Sequence, residues 1–420
     1  MIIFLIILFL LLAIGTPIYV SLGLSSVVLW VTTSGYIDFM MIFQKMFTGM
    51  DSFTLMAIPF FMLAGELMNT GGLSKRLVNF AQTSIGWIKG GLGFSTILAS
   101  MFIAAILGSA SASAAMIGMI MIPEMASRGY RSDYSSALVA SAGSVGPIIP
   151  PSIPLIIYGV IAQLSISKLF LTGYIPGVLM CLFFMIYNYF HAQKNNYPAE
   201  KMPNLKEFFS SLKRALLTLF LPVIIMGGIL GGVFTPTEAG VVAVVYAMVI
   251  SVLVYREVKI RDLPDLLIRA GKSTAMILIV MAVASYLSWI FTMLRLPQTI
   301  TEAILANTYS PLVFLLIINL FMIIVGMFLD AVSALTIMTP VLLPTTLALG
   351  IDPILFGVMM AVNLSIGVLT PPVGLNLYVV SSISKVSLIR VSKAAIPFII
   401  IIVFVLILMM LFPQLFLIFV

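Results

Sequence analysis

The sequence has very few of the residues from which catalytic and metal centres are built. It contains one cysteine, Cys181, and one histidine, His191, among 420 residues. No disulfide can form within such a chain, and neither a thiolate cluster nor a group of imidazoles exists to hold a transition metal. Serine–histidine catalysis lacks a base, and no Gly-x-x-x-x-Gly-Lys-Ser/Thr loop is present to bind ATP. We therefore expect no enzyme, no organic cofactor and no transition metal.

Charged residues are also scarce. They make up 8% of the chain, whereas hydrophobic residues make up 62%, and a soluble domain carries about 25% charged residues. This composition excludes a water-soluble globule and a disordered chain, and predicts an all-α polytopic protein in a lipid bilayer. The net charge of +7 does not indicate a nucleic-acid partner, because in membrane proteins the position of the positive charges matters more than their sum. The apolar stretch that starts at Met1 has no basic region or cleavage site, so we expect a span and not a signal peptide.

The backbone-breaking residues recur at a fixed distance. When the chain is shifted by 221 positions, Pro123 falls on Pro344, Gly146 on Gly367, and Pro150-Pro151 on Pro371-Pro372. Such matches carry weight because proline and glycine determine where a helix breaks. They predict a first repeat over 1–200, a linker over 201–214 and a second repeat over 215–420.

The basic residues indicate how these repeats are oriented. If the interrupted apolar runs 92–125 and 309–346 are re-entrant hairpins, each half has five true crossings and the second half is inverted. All lysines and arginines except Lys45, Lys168 and Arg295 then fall on one side, which the positive-inside rule makes cytoplasmic. Both termini are then periplasmic and the linker is cytoplasmic. Two charged, partly apolar stretches, 74–89 and 257–272, predict amphipathic arm helices at the interface.

The interruptions predict a binding site near the middle of the bilayer. Besides the two hairpins, the runs 133–163 and 353–383 are broken, at Gly146–Pro151 and Gly367–Pro372. Unpaired backbone groups are tolerated in a membrane only where they are buried in protein or line a cavity. Half-helix N-termini favour anions and unwound carbonyls favour Na⁺, a pattern typical of secondary transporters with inverted repeats.

The first hairpin tip presents three hydroxyl groups at alternate positions. Ser109, Ser111 and Ser113 are separated by alanines, and their hydroxyls could bind Na⁺ or donate to a substrate carboxylate. The alternative is that small residues here allow close helix packing.

The second half offers polar candidates of a different kind. Asp330 lies in the interruption Gly326–Ser333, where it either contributes to Na⁺ binding or caps the half-helix that begins Ala331-Val332-Ser333. Ser333 is itself a candidate for contact with the substrate at this tip. Asn363 and Asn376 flank the second unwound loop, and they serve either as substrate donors or as hydrogen-bonding groups between helices. Thr235-Pro-Thr-Glu238 predicts a capping box.

Four motifs together resemble a known family. They are Met56–Glu66, Gly146-x-x-x-Pro-Pro-Ser152, Thr235-Pro-Thr-Glu-Ala239 and Gly367-x-x-Thr-Pro-Pro-Val-Gly374. In this order they are similar to the large membrane subunit of tripartite ATP-independent periplasmic (TRAP) transporters, and the similarity extends over essentially the whole chain.

The resemblance implies a function and its partners. It implies a Na⁺-coupled importer of an organic acid, such as a C4-dicarboxylate or sialic acid, in the bacterial inner membrane. A periplasmic binding protein would deliver the acid, and a small four-helix membrane subunit, expected here as a separate polypeptide, would complete the transporter. A transport body, near 92–165 and 309–387, would move like an elevator against a scaffold made by the remainder.

The resemblance also implies two Na⁺ sites. The first would comprise Ser109, Ser111, Gly146, Ile149 and Pro151, with the choice among the tip serines left open. The second would comprise Gly326, Gly367, Thr370 and Pro371. Two other functions remain as alternatives: a stand-alone Na⁺-coupled carboxylate carrier that needs no binding protein, and an ion channel.

Overall fold

The chain is built from α-helices. The structure is a computed structural model that describes residues 2–34, 39–307 and 310–420, so Met1 and residue 309, at which the second hairpin was predicted to begin, lie outside the described residues. Within these ranges no β-strand occurs, and nine helices are long and apolar enough to cross a membrane. The prediction of an all-α polytopic protein is confirmed.

The first half contains ten helices. They are α1 Ile2–Ala13, α2 Ile18–Ser34, α3 Phe39–Met50, α4 Ala57–Thr70, α5 Leu73–Ile85, α6 Gly91–Leu107, α7 Ala110–Ser127, α8 Ser132–Gly143, α9 Ile153–Ala162 and α10 Ile166–Lys194.

The second half contains another ten. They are α11 Leu205–Leu230, α12 Pro236–Met248, α13 Leu263–Met293, α14 Leu296–Asn307, α15 Pro311–Phe328, α16 Ala331–Ala348, α17 Pro353–Gly367, α18 Leu375–Ser384, α19 Leu388–Leu411 and α20 Pro413–Phe416. A π-helical segment, Val249–Val254, continues α12.

The helix boundaries recur at the distance at which the prolines and glycines recur. Shifted by 221 positions, α7 coincides with α16 at both ends, and α6, α8, α9 and α10 fall within a few residues of α15, α17, α18 and α19. The Ser365 hydroxyl donates to the Ser144 carbonyl oxygen at 2.8 Å, and these two residues are themselves 221 positions apart. The two halves therefore meet at equivalent positions, at or just before the unwound loops. The inversion of the second half relative to the membrane stays a prediction.

Two segments differ from the expected organisation. Most of the predicted linker 201–214 is helical, because the Asn204 and Glu207 side chains each accept a hydrogen bond from the other's backbone N–H (2.8 and 2.9 Å) and start α11 at Leu205. Of the predicted arms, 74–89 corresponds to α5. The stretch 257–272 instead runs into α13, because nothing breaks the helix between its charged and apolar parts.

Two helices were not predicted. They are α3 and α14, which are short and lie between longer apolar runs. The 221-residue shift places α5 on α14, and not on the stretch 257–272 that was expected to be its counterpart.

The helices pack in two groups. One group consists of α6 to α10 and α15 to α19, and the other of α1 to α4 and α11 to α13. Helix α5 packs on both α6 and α11, and α14 packs on α16 and α13, so these two short helices connect the groups. We call the groups the body and the scaffold. Because α10 and α19 pack on α6, α8 and α17, the body includes these two helices besides the predicted ranges.

Candidate functional site

The four interruptions meet around one cavity of about 140 Å³ at the border between body and scaffold. Both hairpin tips and both unwound loops contribute to its wall. Its lining comprises Gly108, Ser109, Ala110, Ser111, Pro147, Ile153, Pro154, Asp330, Ala331, Val332, Leu364, Val368 and Leu375 from the body, with Met62 and Ile277 from the scaffold. We call it the central cavity.

The first hairpin tip packs tightly against the first unwound loop. Gly108, which ends α6, has a left-handed conformation (φ 59°) that glycine adopts readily. A Cβ atom at Gly108 would lie 2.8 Å from the Pro151 carbonyl oxygen, and one at Gly146 would lie 2.7 Å from the Ser109 carbonyl oxygen. Only glycine permits these approaches. The structure thus brings Ser109, Gly146 and Pro151 together, as the predicted first Na⁺ site requires.

The first loop also offers free acceptors. Within the described residues, no hydrogen-bond donor contacts the carbonyl oxygens of Gly146, Ile149 or Pro151. The whole loop is buried, and a buried carbonyl without a partner is costly. Ser152 fixes the loop, because its hydroxyl donates to the Pro147 carbonyl oxygen and accepts from the Leu155 N–H. Such an arrangement can present several oxygens to a cation.

The second tip and loop are in contact in a similar way. A Cβ atom at Gly367 would overlap the backbone of Gly326, and the Val373 N–H donates to the Met327 carbonyl oxygen at 3.3 Å. The Thr370 hydroxyl donates to the Ile366 carbonyl oxygen at 2.7 Å, which leaves its own lone pairs free. In contrast to the first loop, Pro371 is exposed. Gly326, Gly367 and the adjoining Thr370-Pro371 therefore lie at one place, where the second Na⁺ site is predicted.

The N-termini of the two tip helices differ. In α16 the Asp330 carboxylate accepts from the backbone N–H groups of Val332 (3.0 Å) and Ser333 (3.3 Å), and it also accepts from the Ser333 hydroxyl. In α7 the N-cap residue Ser109 makes no side-chain cap hydrogen bond. The helix-capping role considered for Asp330 is therefore present, and Asp330 also lines the central cavity.

The remaining polar candidates lie outside the central cavity. Asn363 donates to the carbonyl oxygen and to Oδ1 of Asn319, both at 2.8 Å, and Asn376 donates to the Ala140 carbonyl oxygen at 2.9 Å. Both asparagines and Ser113 are buried. Among the described residues, the Oδ1 atoms of Asn363 and Asn376 and the Ser113 hydroxyl have no hydrogen-bond partner. Their roles as substrate or ion contacts stay predictions.

Two further cavities adjoin the central one. One of about 180 Å³ shares Met62 and Ser109 with it and extends along α4 to Glu66 and Asn69. Another of about 420 Å³ shares Ile277, Asp330 and Val332 with it and extends to Thr16 and Pro17, and Ser333 lies in its wall. The series of cavities follows the border between body and scaffold. One adjoining cavity thus reaches the first hairpin tip, at Ser109, and the other reaches the second, at Asp330.

The two scaffold residues of the central cavity were missed by sequence reasoning. Met62 lies within the Met56–Glu66 motif, but as an apolar residue in an apolar helix it carries no signal of its own. Ile277 lies in α13 among similar residues. Neither could be selected without knowing which scaffold helix faces the hairpin tips.

Comparison with known proteins decides the family. The sequence model of the family described as tripartite ATP-independent periplasmic transporter, DctM component, matches residues 5–415 of the chain. The chain belongs to this family. It is 42% identical over 389 residues to the isethionate TRAP transporter permease protein DctMQ of Oleidesulfovibrio alaskensis, covering 92% of this chain and 61% of that longer relative. It is 40% identical over 371 residues to the sialic acid TRAP transporter large permease protein SiaM of Vibrio cholerae, covering 88% and 87% of the two chains.

A solved structure supports the fold independently. The Alcanivorax borkumensis YdaH transporter aligns with a TM-score of 0.63 at 14% identity, over 88% of this chain and 87% of that protein. At this identity the likeness concerns the fold alone. The relatives of the chain are transport permeases and not enzymes.

Proposed function

We propose that this chain is the permease of a Na⁺-coupled secondary transporter that imports an organic acid of the dicarboxylate or sialic acid type. The observation that carries the proposal is the convergence of both hairpin tips and both unwound loops on one cavity. Paired broken helices at a repeat interface are the usual binding architecture of secondary transporters. The position of the cavity between body and scaffold supports an elevator movement of the body.

Na⁺ is the proposed coupling ion. The unpaired carbonyls of Gly146, Ile149 and Pro151 beside Ser109 support one site, and the contact of Gly326 with Gly367 beside Thr370 supports a second. Carbonyl and hydroxyl oxygens suit a hard cation. Each positive charge that moves inward contributes ~2.3 kcal/mol per 100 mV of membrane potential, which supplies a driving force without ATP.

The acid is proposed to place its carboxylate at the first hairpin tip. A helix N-terminus presents backbone N–H groups and a partial positive charge, and the N-terminus of α7 is not occupied by a side chain of its own cap residue. In α16 the carboxylate of Asp330 already fills this role. The Ser109 and Ser111 side chains, both half-buried in the central cavity, add hydroxyl donors at the first tip.

The proposed partners are a small four-helix membrane subunit and a periplasmic substrate-binding protein. The tripartite organisation in the description of the family supports both. We place the chain in a bacterial inner membrane with both termini periplasmic, because nearly all of its basic residues fall on one predicted side.

The proposal is tested by measuring Na⁺-dependent uptake in proteoliposomes that contain the complete transporter. We expect Ser111→Ala and Thr370→Ala to raise the half-maximal Na⁺ concentration about three- to tenfold, because each removes one oxygen ligand. Ser127→Ala, at the exposed end of α7, is the control and should leave Na⁺ dependence unchanged. Unaltered Na⁺ dependence in both site variants would count against the assigned ligands.

The same preparation distinguishes the alternatives. Uptake that proceeds without a periplasmic binding protein would favour a stand-alone carboxylate carrier. Flux at channel rates with no fixed Na⁺ stoichiometry would favour a channel.

A further inference from the structure

A second group of cavities lies on the scaffold, away from the central cavity. One, of about 510 Å³, lies between α5 and α11, and its wall includes Arg76, Lys206, Arg214 and the hydroxyls of Thr83, Ser210 and Ser211. The other, of about 790 Å³, lies at the turn between α12 and α13 and is lined by Arg256, Lys259 and Arg261. Neither cavity contains a residue assigned to the transport site.

The two cavities adjoin one another. The Tyr255 hydroxyl donates to the Arg214 carbonyl oxygen at 2.9 Å, and the Arg76 guanidinium lies 3.7 Å above the centre of the Tyr255 ring. Arg76 also forms an ion pair with Glu257. These contacts join α5, α11 and the α12–α13 turn into one surface. We call its outward-facing cations, Lys206, Arg214, Arg256, Lys259 and Arg261, the basic band.

Three acidic residues near the basic band are already engaged. Glu257 pairs with Arg76, and Glu207 accepts from the Asn204 N–H in the capping box at 2.9 Å. Asp262 accepts from the Lys259 N–H at 3.0 Å and lies 4.0 Å from Arg261.

The band therefore carries surplus positive charge. In the described part of the chain, no carboxylate oxygen lies within 4 Å of the side-chain nitrogens of Lys206, Arg214, Arg256 and Lys259.

Apolar side chains border this charge. Leu253 is 64% exposed and Ile260 75% exposed in the second cavity, and Phe209, beside Ser210, is 60% exposed. A ligand that satisfies both features has a phosphate group attached to an apolar body. A soluble phosphate compound would use the cations and hydroxyls but not the apolar border. The sidedness predicted from the sequence places the band at the cytoplasmic leaflet, where anionic lipids attract basic segments.

We propose that the basic band is a binding site for the headgroup of an anionic phospholipid. The phosphate contacts Arg214, Arg256 and Lys259, the hydroxyl of Ser210 supplies a neutral donor, and the acyl chains lie along Leu253 and Ile260. A lipid bound here contacts α11 and the α12–α13 turn at once and borders α5, the short helix that connects scaffold to body. The site is independent of the proposed Na⁺ and substrate sites.

The test is native mass spectrometry of the purified full chain with phosphatidylglycerol or phosphatidylcholine. We expect phosphatidylglycerol to be retained preferentially. The triple variant Arg214→Gln/Arg256→Gln/Lys259→Gln should weaken its retention about a hundredfold, at about fivefold per charge. The control, Lys75→Gln/Lys89→Gln/Lys393→Gln, removes equal charge from exposed positions on the same predicted side and should bind like the unmodified chain.

Three outcomes would overturn the proposal. Equal loss of phosphatidylglycerol in the band variant and the control would show that only overall charge matters. Displacement of the lipid by excess glycerol 3-phosphate would identify a soluble phosphate as the ligand. If the triple variant does not fold, the single variants Arg256→Gln and Lys259→Gln replace it, and each should weaken phosphatidylglycerol retention about fivefold. The third outcome is unchanged retention in both single variants, which would contradict the assignment.

Discussion

At the scale of single residues, the two hairpin tips differ in how their helix N-termini are satisfied. Asp330 supplies two cap hydrogen bonds to α16 and at the same time faces the central cavity. Ser109 caps α7 with its backbone alone. The carboxylate at one tip would repel an organic anion, and the uncapped N–H groups at the other would attract it.

The two roles of Asp330 can be separated by substitution. Asp330→Asn keeps a good N-cap residue and removes the charge. We expect its thermal unfolding to be unchanged and its Na⁺-driven uptake to fall at least about tenfold, since a hydrogen bond to a charged group contributes roughly 1.5–3 kcal/mol. Asp330→Ala should additionally lower stability by about 0.5–2 kcal/mol.

Asp352 provides a matched control for this prediction. It caps α17 with the same geometry, accepting from Ile354 N–H at 2.8 Å and Leu355 N–H at 3.0 Å, and it does not line the central cavity. Asp352→Asn should retain full uptake. If Asp330→Asn also transports like the unmodified protein, the carboxylate serves only as a cap.

The sequence predicted hydrogen bonds in which a side chain contacts the backbone of a residue a few positions away. The capping box predicted at Thr235–Glu238 is confirmed, with the Glu238 N–H donating to Thr235 Oγ1 at 3.3 Å and the Thr235 N–H donating to Glu238 Oε2 at 2.8 Å. Partners distant in sequence could not be predicted: Asn319, which binds Asn363, lies in another helix 44 residues away. Met62 and Ile277 reach the central cavity only through the packing of scaffold against body.

At the scale of elements, the close contact of each unwound loop with its hairpin organises the site. The positions of prolines and glycines in the sequence predicted these breaks. In the structure α7 begins at Ala110 and α16 at Ala331, each inside a predicted interruption. The helices α3 and α14 escaped prediction, because each has only 12 residues, too few to cross a membrane, and lies between longer apolar runs. The stretch 257–272 was wrongly predicted to be a separate arm helix, because most of this charged stretch and the apolar residues that follow it belong to one long helix, α13.

The loop–hairpin contact leads to a prediction about two glycines. Gly146→Ala and Gly367→Ala would each place a methyl group against the backbone of the facing hairpin, where little adjustment is possible. We expect a loss of about 1–3 kcal/mol in stability from overpacking, together with a higher Na⁺ requirement for uptake. Thermal unfolding and Na⁺ titration of uptake measure the two effects.

Gly271 is the control for these substitutions. It lies in helix α13, where an added Cβ meets no atom within 4 Å, so Gly271→Ala should stabilise the protein by roughly 0.5–1 kcal/mol and leave Na⁺ dependence unaltered. Normal Na⁺ dependence in Gly146→Ala and Gly367→Ala would show that the loops need not approach the hairpins so closely.

At the scale of the whole molecule, the chain divides into two packed groups with the cavities along their border. The body carries every residue assigned to the Na⁺ sites, whereas the scaffold contributes only apolar side chains, Met62 and Ile277, to the central cavity. An apolar scaffold surface makes few specific polar contacts with the site, as the proposed sliding of the body past the scaffold would require. Such a movement would expose the site alternately to the two sides of the membrane.

A cross-link between body and scaffold is the most direct test of this account. In a Cys181→Ser background, Met62→Cys on α4 and Ala112→Cys on α7 place thiols in the wall of one cavity. Glu66→Cys/Arg269→Cys is the control, because this ion pair of 3.7 Å joins two scaffold helices. Both pairs are treated with a short, reducible bifunctional thiol reagent, and Na⁺-driven uptake is measured in proteoliposomes. We predict that the Met62–Ala112 link abolishes uptake until it is reduced, while the control link does not. Full uptake with the Met62–Ala112 link in place would contradict movement of the body against the scaffold.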